Sequence, residues 1–380
     1  MKLKYIALLI LSVFIVSCSS DDKEEISSRR TVLAYMVSSN LGSDLTANID
    51  RMISVANAKN LNGGNLIVYY SWYDKEAKES KAELFQIKEG KGGVVTKHHI
   101  RDYQGQNAAS PQVMRSVIQD VFVQFPAEGY GLLLSSHGTS WMPSAETGLR
   151  SFGDENGKQM EIYELADALK GFYFDFIAFD ACSMGGVECV YELKDVTDYI
   201  LSSPSEIMAI GFPYEEVLPC FFTNIPDLEK ASKSFYDFFL TYQSPYGNIS
   251  VTKTSELRAL ASITKEIITT AGIEAMYALS LNDIQILSYF GGKSTALYDL
   301  GDVLSRLATD DQKRRLKDCL DKVIVSKYTT KDIYCGKLGQ YNLVPVNQFS
   351  GLSIYPIQPK LTQLNNWYKT NLSWYQAVYP

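Results

Sequence analysis

Between residues 130 and 203 the chain repeats one pattern: a short apolar run, a polar or glycine-bearing turn, then an amphipathic helix. Tyr130–Ser136, Phe174–Phe179 and Tyr199–Ser203 are apolar along most of their length rather than alternating, the mark of strands buried on both faces. Glu161–Lys170, closed by Gly171, and Gly186–Lys194 have helical spacing between them. A β-α-β-α order with such strands demands parallel crossovers and a helix layer on each side of the sheet. The pattern begins earlier, with strands at Thr31–Val37 and Asn65–Trp72, a helix near Asp44–Ala58, and Glu83–Glu89 as an edge strand. Pro111–Phe125 reads as a helix with Ser110 as N-cap and Pro111 at its first position.

The second half is less regular. Asp227–Tyr242, Ser255–Ala271, Thr295–Ala308, Asp311–Ser326 and Leu361–Leu372 read as helices, Ile284–Phe290 and Ser350–Ile357 as strands. The expected fold is α/β: a mainly parallel sheet flanked by helices on both faces, with an appended C-terminal α/β subdomain. No internal repeat or linker divides the chain. Residues 31–250 are expected to form the core, and 251–380 the C-terminal part of the same unit.

Chemistry in open α/β sheets gathers at the carboxyl ends of strands. The chain has 3 histidines. His98 and His99 are adjacent, point to opposite faces of a strand, and suit neither a chelate nor a dyad. His137 differs, because it ends the run Gly131–Ser136 and is followed by Gly138, which blocks nothing. Forty-five residues on, the strand Phe174–Phe179 runs into Asp180-Ala181-Cys182-Ser183-Met184-Gly185-Gly186. Cys182 then stands at an equivalent strand end, before a helix whose positive end would favour a thiolate. A thiolate attacks a carbonyl carbon and an imidazole protonates the leaving amine. On spacing alone, a lone Cys after a strand is more often a small buried hydrophobe.

The first 17 residues carry Lys2 and Lys4 and then the short apolar run Tyr5–Val16, the plan of a signal peptide. The run ends at Ser17-Cys18, which resembles a lipobox, so Cys18 is the expected lipidation site and residues 18–30 a tether. The acidic stretch after it resembles the export signal of Bacteroides-type surface lipoproteins, implying an outer-membrane, cell-surface location. Five further cysteines, an odd number without a CxxC pair, argue against a disulfide framework. A net charge of -7 argues against a general nucleic-acid binder.

The segments Leu134-Ser135-Ser136-His137-Gly138 and Phe179-Asp180-Ala181-Cys182-Ser183-Met184-Gly185 resemble the His and Cys motifs of the clostripain family of bacterial cysteine peptidases (family C11), whose fold is caspase-like. Thr31–Val37, Asp167-Ala168-Leu169 and Ser350–Tyr355 extend the resemblance over residues 30–380. It implies that Cys182 is the nucleophile, His137 the general acid/base, and the N–H groups of Gly138 and Cys182 the oxyanion hole. It implies cleavage of protein or peptide substrates after Arg or Lys, with Asp180 as one acid of the specificity pocket. Ile210 stands where a second acid is expected, and Glu206 is the candidate to compensate. It also implies a zymogen cut in the loop 139–160, at Arg150 or, second, Lys158. Some relatives need calcium, for which Asp154, Glu155 and Asn156 offer oxygen ligands without EF-hand spacing. No other metal or cofactor is expected, and the protein is expected to be a monomer. Two alternatives stay open on sequence: a binding module on the same fold, and a thiol amidase acting on cell-wall peptides.

Overall fold

The computed structural model describes residues 28–379 apart from 39, 75, 104, 144–150, 156, 244, 290–295 and 338–339. Its strands in chain order are β1 (Ser28–Val37), β2 (Asn65–Asp74), β3 (Glu79–Glu89), β4 (Val95–Asp102), β5 (Ala127–Ser135), β6 (Phe152–Glu155), β7 (Lys158–Met160) and β8 (Phe174–Asp180). They continue as β9 (Thr197–Ser202), β10 (Asn248–Lys253), β11 (Ile286–Tyr289), β12 (Ala296–Asp299), β13 (Ile324–Thr329), β14 (Asp332–Lys337), β15 (Gln340–Pro345) and β16 (Ser353–Ile354). Nine of them make one sheet, in the order β13-β10-β9-β8-β5-β1-β2-β3-β4. Its centre, β9-β8-β5-β1-β2, is parallel throughout. Both flanks are antiparallel.

Alternation along the strands explains the layers. In β1, Leu33, Tyr35 and Val37 face one apolar cluster, which takes in helices Pro111–Gln124, Ile162–Leu169 and Leu257–Ala271. Val32, Ala34 and Met36 face the other, with helices Gly42–Val55, Tyr214–Phe221 and Leu228–Thr241. A parallel sheet has no polar face to spare, so each face needs its own helix layer.

Several sequence expectations are corrected. The edge is β4, not Glu83–Glu89: β3 pairs on both sides, and β4 carries exposed His98 and His99, the latter bonded to Asp102 at 2.8 Å. The helix expected to run to Ser326 stops at Val323, and Ile324–Thr329 becomes the opposite edge, its β-branched, alternating pattern suiting a strand. Thr295–Ala308 divides into β12 and a helix Leu300–Leu307 capped by Asp299. Ser350–Ile357 keeps only β16. Helix Tyr214–Phe221, β10 and the β14–β15 hairpin lacked a sequence signal, and Pro219 inside that helix masks its pattern.

The C-terminal segments clamp the centre of the sheet. Trp141, fully buried, packs on Tyr368 at 4.7 Å, Tyr355 at 5.4 Å and Trp367 at 5.7 Å between ring centroids. Beside them Glu188, fully buried in helix Val187–Glu192, accepts from the backbone N–H of Tyr355 at 2.9 Å and the hydroxyl of Tyr368 at 3.2 Å. Its Oε2 has no partner among the described residues. Burial therefore pushes the carboxyl up from 4.5 to about 7. A raised folded-state value means that its stability contribution is complete below about 4.5 and is lost as pH rises through about 7, a swing of roughly 3 kcal/mol. Glu188→Gln, which cannot ionise, is expected to flatten the fall in melting temperature between pH 5 and 8 in a thermal-melt series.

Candidate active site

The register of β5 on β8 places the site. Ser135 pairs with Asp180, so His137 and Cys182 each lie two residues beyond the same rung, on adjacent parallel strands. Both line a cavity of about 470 Å³ at the carboxyl edge of the sheet. The two loops touch: a Cβ added to Gly138 would lie 2.6 Å from the carbonyl oxygen of Cys182, so only glycine allows this approach.

Backbone bonds fix each loop. The His137 carbonyl accepts from Gly153 N–H at 3.2 Å, and Thr139 N–H donates to Ser151 O at 3.0 Å. On the cysteine side, Ser183 N–H donates to Ser205 O at 2.7 Å and Gly185 N–H to Ser203 O at 2.8 Å. Ser183 has φ 59°, a strained value for a residue with a side chain. Its buried hydroxyl meets that of Ser288 in β11 at 2.8 Å, which helps hold the turn.

The Cys182 thiol is half-buried against the segment that follows β9. Sγ lies 3.5 Å from Ile207 O and accepts from Ile207 N–H at 3.3 Å. Burial, then the charge of Glu206, push its pKa up to about 12, outweighing the Ile207 N–H. The helix expected near Gly186 is Val187–Glu192, with Gly186 as its N-cap; it has 6 residues and starts five positions after Cys182.

Asp180 is buried at the floor of the cavity. Tyr214 OH donates to its Oδ2 at 2.6 Å and Ser135 Oγ at 3.4 Å. Burial raises its carboxyl, and the bonds from Tyr214, Phe212 N–H and Ser135 oppose this. Gly211, φ 68°, admits the carboxylate, since a Cβ there would lie 2.5 Å from Asp180 Oδ2. Ile210 packs half-buried on the second apolar layer, and its carbonyl accepts from Arg51 at 3.1 Å. Glu206 and Met208 line the cavity.

Three contributors had no sequence signal. Tyr214 becomes a partner of Asp180 only through the fold. Tyr334, from the β14–β15 hairpin, lines the cavity and brings the C-terminal part into the site. Asn40, past the end of β1, reaches His137.

The remaining candidates separate from the site. Arg150, Asn156 and Cys18 lie outside the described residues. Lys158 sits within the β6–β7 hairpin, paired with Glu155, a poor conformation for a cleavage point. Glu155 is buried, accepting from Ser71 Oγ at 3.3 Å and from Ala108 N–H, and Asp154 accepts from Gly157 N–H at 3.0 Å. Both acids are buried and take part in the local hydrogen bonding of the β6–β7 hairpin. Among the described residues no cluster of three or more His, Cys, Asp or Glu could hold a metal. The described cysteines 182, 189, 220, 319 and 335 are all unpaired thiols. No helix among the described residues is long and apolar enough to cross a membrane.

A half-buried thiol and an imidazole at neighbouring strand ends, above an acid-floored cavity in a caspase-like sheet, are the groups that cysteine-peptidase chemistry requires. The clostripain family, Peptidase_C11, matches residues 34–379, and the chain belongs to it. It is a clostripain-like cysteine protease. Among solved structures it is similar to an inactive zymogen C11 protease from Parabacteroides distasonis, at 34% identity and TM-score 0.82, covering 93% of this chain and 99% of that one. It is also similar to a secreted C11 cysteine protease from Bacteroides thetaiotaomicron, at 28% identity and TM-score 0.81, covering 93% and 100%. A clostripain from the same species in complex with the peptide inhibitor BTN-VLTK-AOMK matches at 32% identity and TM-score 0.52, over 60% of this chain and 97% of that one. The search of curated proteins found no match.

Proposed function

We propose that the chain hydrolyses peptide bonds with Cys182 as nucleophile and His137 as general acid/base, on the carboxyl side of basic residues. The observation that carries this reading is the shared rung Ser135–Asp180, which puts both groups level at one cavity. The Cys182 thiol gives its proton to the imidazole and Sγ bonds to the scissile carbonyl carbon. The oxyanion forms against the N–H groups of Gly138 and Cys182. The C–N bond then breaks as His137 returns the proton to the leaving amine. Water, deprotonated by His137, cleaves the thioester and restores the thiol.

Basic specificity is supported by buried Asp180 at the cavity floor and by Glu206 at its wall. The related clostripain bound to an inhibitor whose peptide ends in K agrees with it. With Ile210 in place of a second acid, the preference rests mainly on Asp180. In a panel of peptides varied at P1, Arg or Lys is expected to exceed Gln and Leu in kcat/KM by about 10- to 100-fold. Asp180→Asn is expected to remove that preference, and Cys182→Ala and His137→Ala to remove turnover. Equal rates for all P1 residues, or turnover only of D-amino-acid amides, would sink this specificity.

Synthesis as a zymogen is supported by one relative, which is described as an inactive zymogen. Processing is assigned to Arg150, in the segment that follows the anchored His137 loop. Purified wild type is expected to split there, whereas Arg150→Ala and Cys182→Ala stay intact by mass spectrometry. A Cys182→Ala chain cut at Arg150 on its own contradicts self-processing.

A relative described as secreted supports export. We place the chain at the outer-membrane surface, anchored through acylated Cys18 after removal of residues 1–17, as a monomer in which 31–250 and 251–380 form one peptidase unit. Labelled palmitate is expected in wild type and not in Cys18→Ala; equal labelling refutes the anchor.

A further inference from the structure

His137 is held from a third strand end. Its Nε2 lies 2.6 Å from Oδ1 of Asn40. β5 is flanked in parallel by β8 on one side and β1 on the other. One line across the sheet passes through Met36, Ser135 and Asp180, and Asn40, His137 and Cys182 follow on from these three residues. Asn40 lies in the short link between β1 and helix Gly42–Val55. Both ends of that link are tied: Ser136 Oγ donates to Val37 O at 2.7 Å, Ser38 N–H to Ser71 O at 3.0 Å, and Leu45 N–H to Leu41 O at 2.9 Å. The side chain itself is exposed, so its contact with the imidazole is not part of a packed core.

We propose that Asn40 is a positioning residue for His137; this rests on the assignment of His137 as the acid/base. A neutral imidazole carries one N–H, and which nitrogen bears it is set by the partner of that nitrogen. An amide oxygen at Nε2 selects the Nε2–H tautomer and leaves the lone pair on Nδ1. It also fixes the ring plane, because the bond is directional. When the ring accepts the Cys182 proton, the same bond becomes charge-assisted and strengthens. Because Asn40 is uncharged, it does this without holding the imidazolium permanently. A carboxylate in its place would favour the charged ring and delay return of the proton to the leaving amine.

The test is steady-state kinetics across pH on Asn40→Ala and Asn40→Asp, beside Cys182→Ala and His137→Ala. Asn40→Ala is expected to lose about 10- to 100-fold in kcat, with KM changed by less than about 2-fold and an unchanged melting temperature. Asn40→Asp, which keeps the acceptor, is expected to recover part of kcat. It should also move the pKa of kcat/KM belonging to His137 upward, because a carboxylate favours the imidazolium. Wild-type kcat in Asn40→Ala, or Asn40→Asp as impaired as Asn40→Ala with an unmoved profile, overturns the proposal. Turnover surviving in Cys182→Ala would instead overturn the dyad. Dead Cys182→Ala and His137→Ala beside a fully active Asn40→Ala leave the dyad standing and remove Asn40 alone.

Discussion

The parallel pairing of β5 with β8, rung by rung from Gly131–Phe176 to Ser135–Asp180, is the constraint on which the rest of the molecule depends. Side chains on a strand alternate with period two, so a slip of one residue would send every buried side chain into the opposite layer, where it does not fit. Leu132, Leu134, Ile177 and Phe179 fix the register by filling one layer, and Leu133, Phe176 and Ala178 by filling the other. Once they are buried, the strand ends from which His137 and Cys182 follow are level with each other. Reactive groups thus sit on strand ends whose placement is set by the core, the arrangement that holds a site most firmly.

Beyond the strand ends, the loops need support of another kind. The cysteine turn contains a non-glycine residue in the left-handed region, Ser183, which the fold stabilises through Ser205 and Ser288. The histidine loop is tied to Ser151 and Gly153 and weighted by Trp141 under the C-terminal aromatics. Both supports draw on sequence beyond residue 250, through β11 and through Tyr355 and Tyr368. The C-terminal part is therefore structural to the site, and Tyr334 makes it part of the cavity wall.

What the sequence disclosed follows from the range of the forces involved. Strands β1, β2, β5, β8 and β9 could be read because burial on both faces writes a dense apolar run into a few consecutive residues. His137 and Cys182 could be read because such runs end on them, with glycines nearby. Strand β13 was hidden because its apolar residues continue the pattern of the preceding helix, and β14 and β15 because a two-stranded hairpin needs little hydrophobic signal. The bonds of Tyr214 to Asp180 and of Asn40 to His137 span 34 and 97 residues, and nothing local encodes them. The surroundings of the thiol are equally non-local: the helix start nearby is a local feature, but the contacts with Ile207 and the Glu206 charge come from the segment after β9.

The central claim is that the imidazole of His137 ionises the thiol of Cys182 when the site is engaged. The most direct measurement is the pH dependence of Cys182 alkylation in processed wild type and in His137→Ala, with the modified peptide identified by mass spectrometry. Wild type is expected to react over a neutral plateau bounded by the imidazole and thiol titrations. His137→Ala is expected to lose that plateau and react only as the lone thiol ionises at alkaline pH. Identical profiles in the two proteins would show that the thiol ionises without the histidine, and would contradict the account.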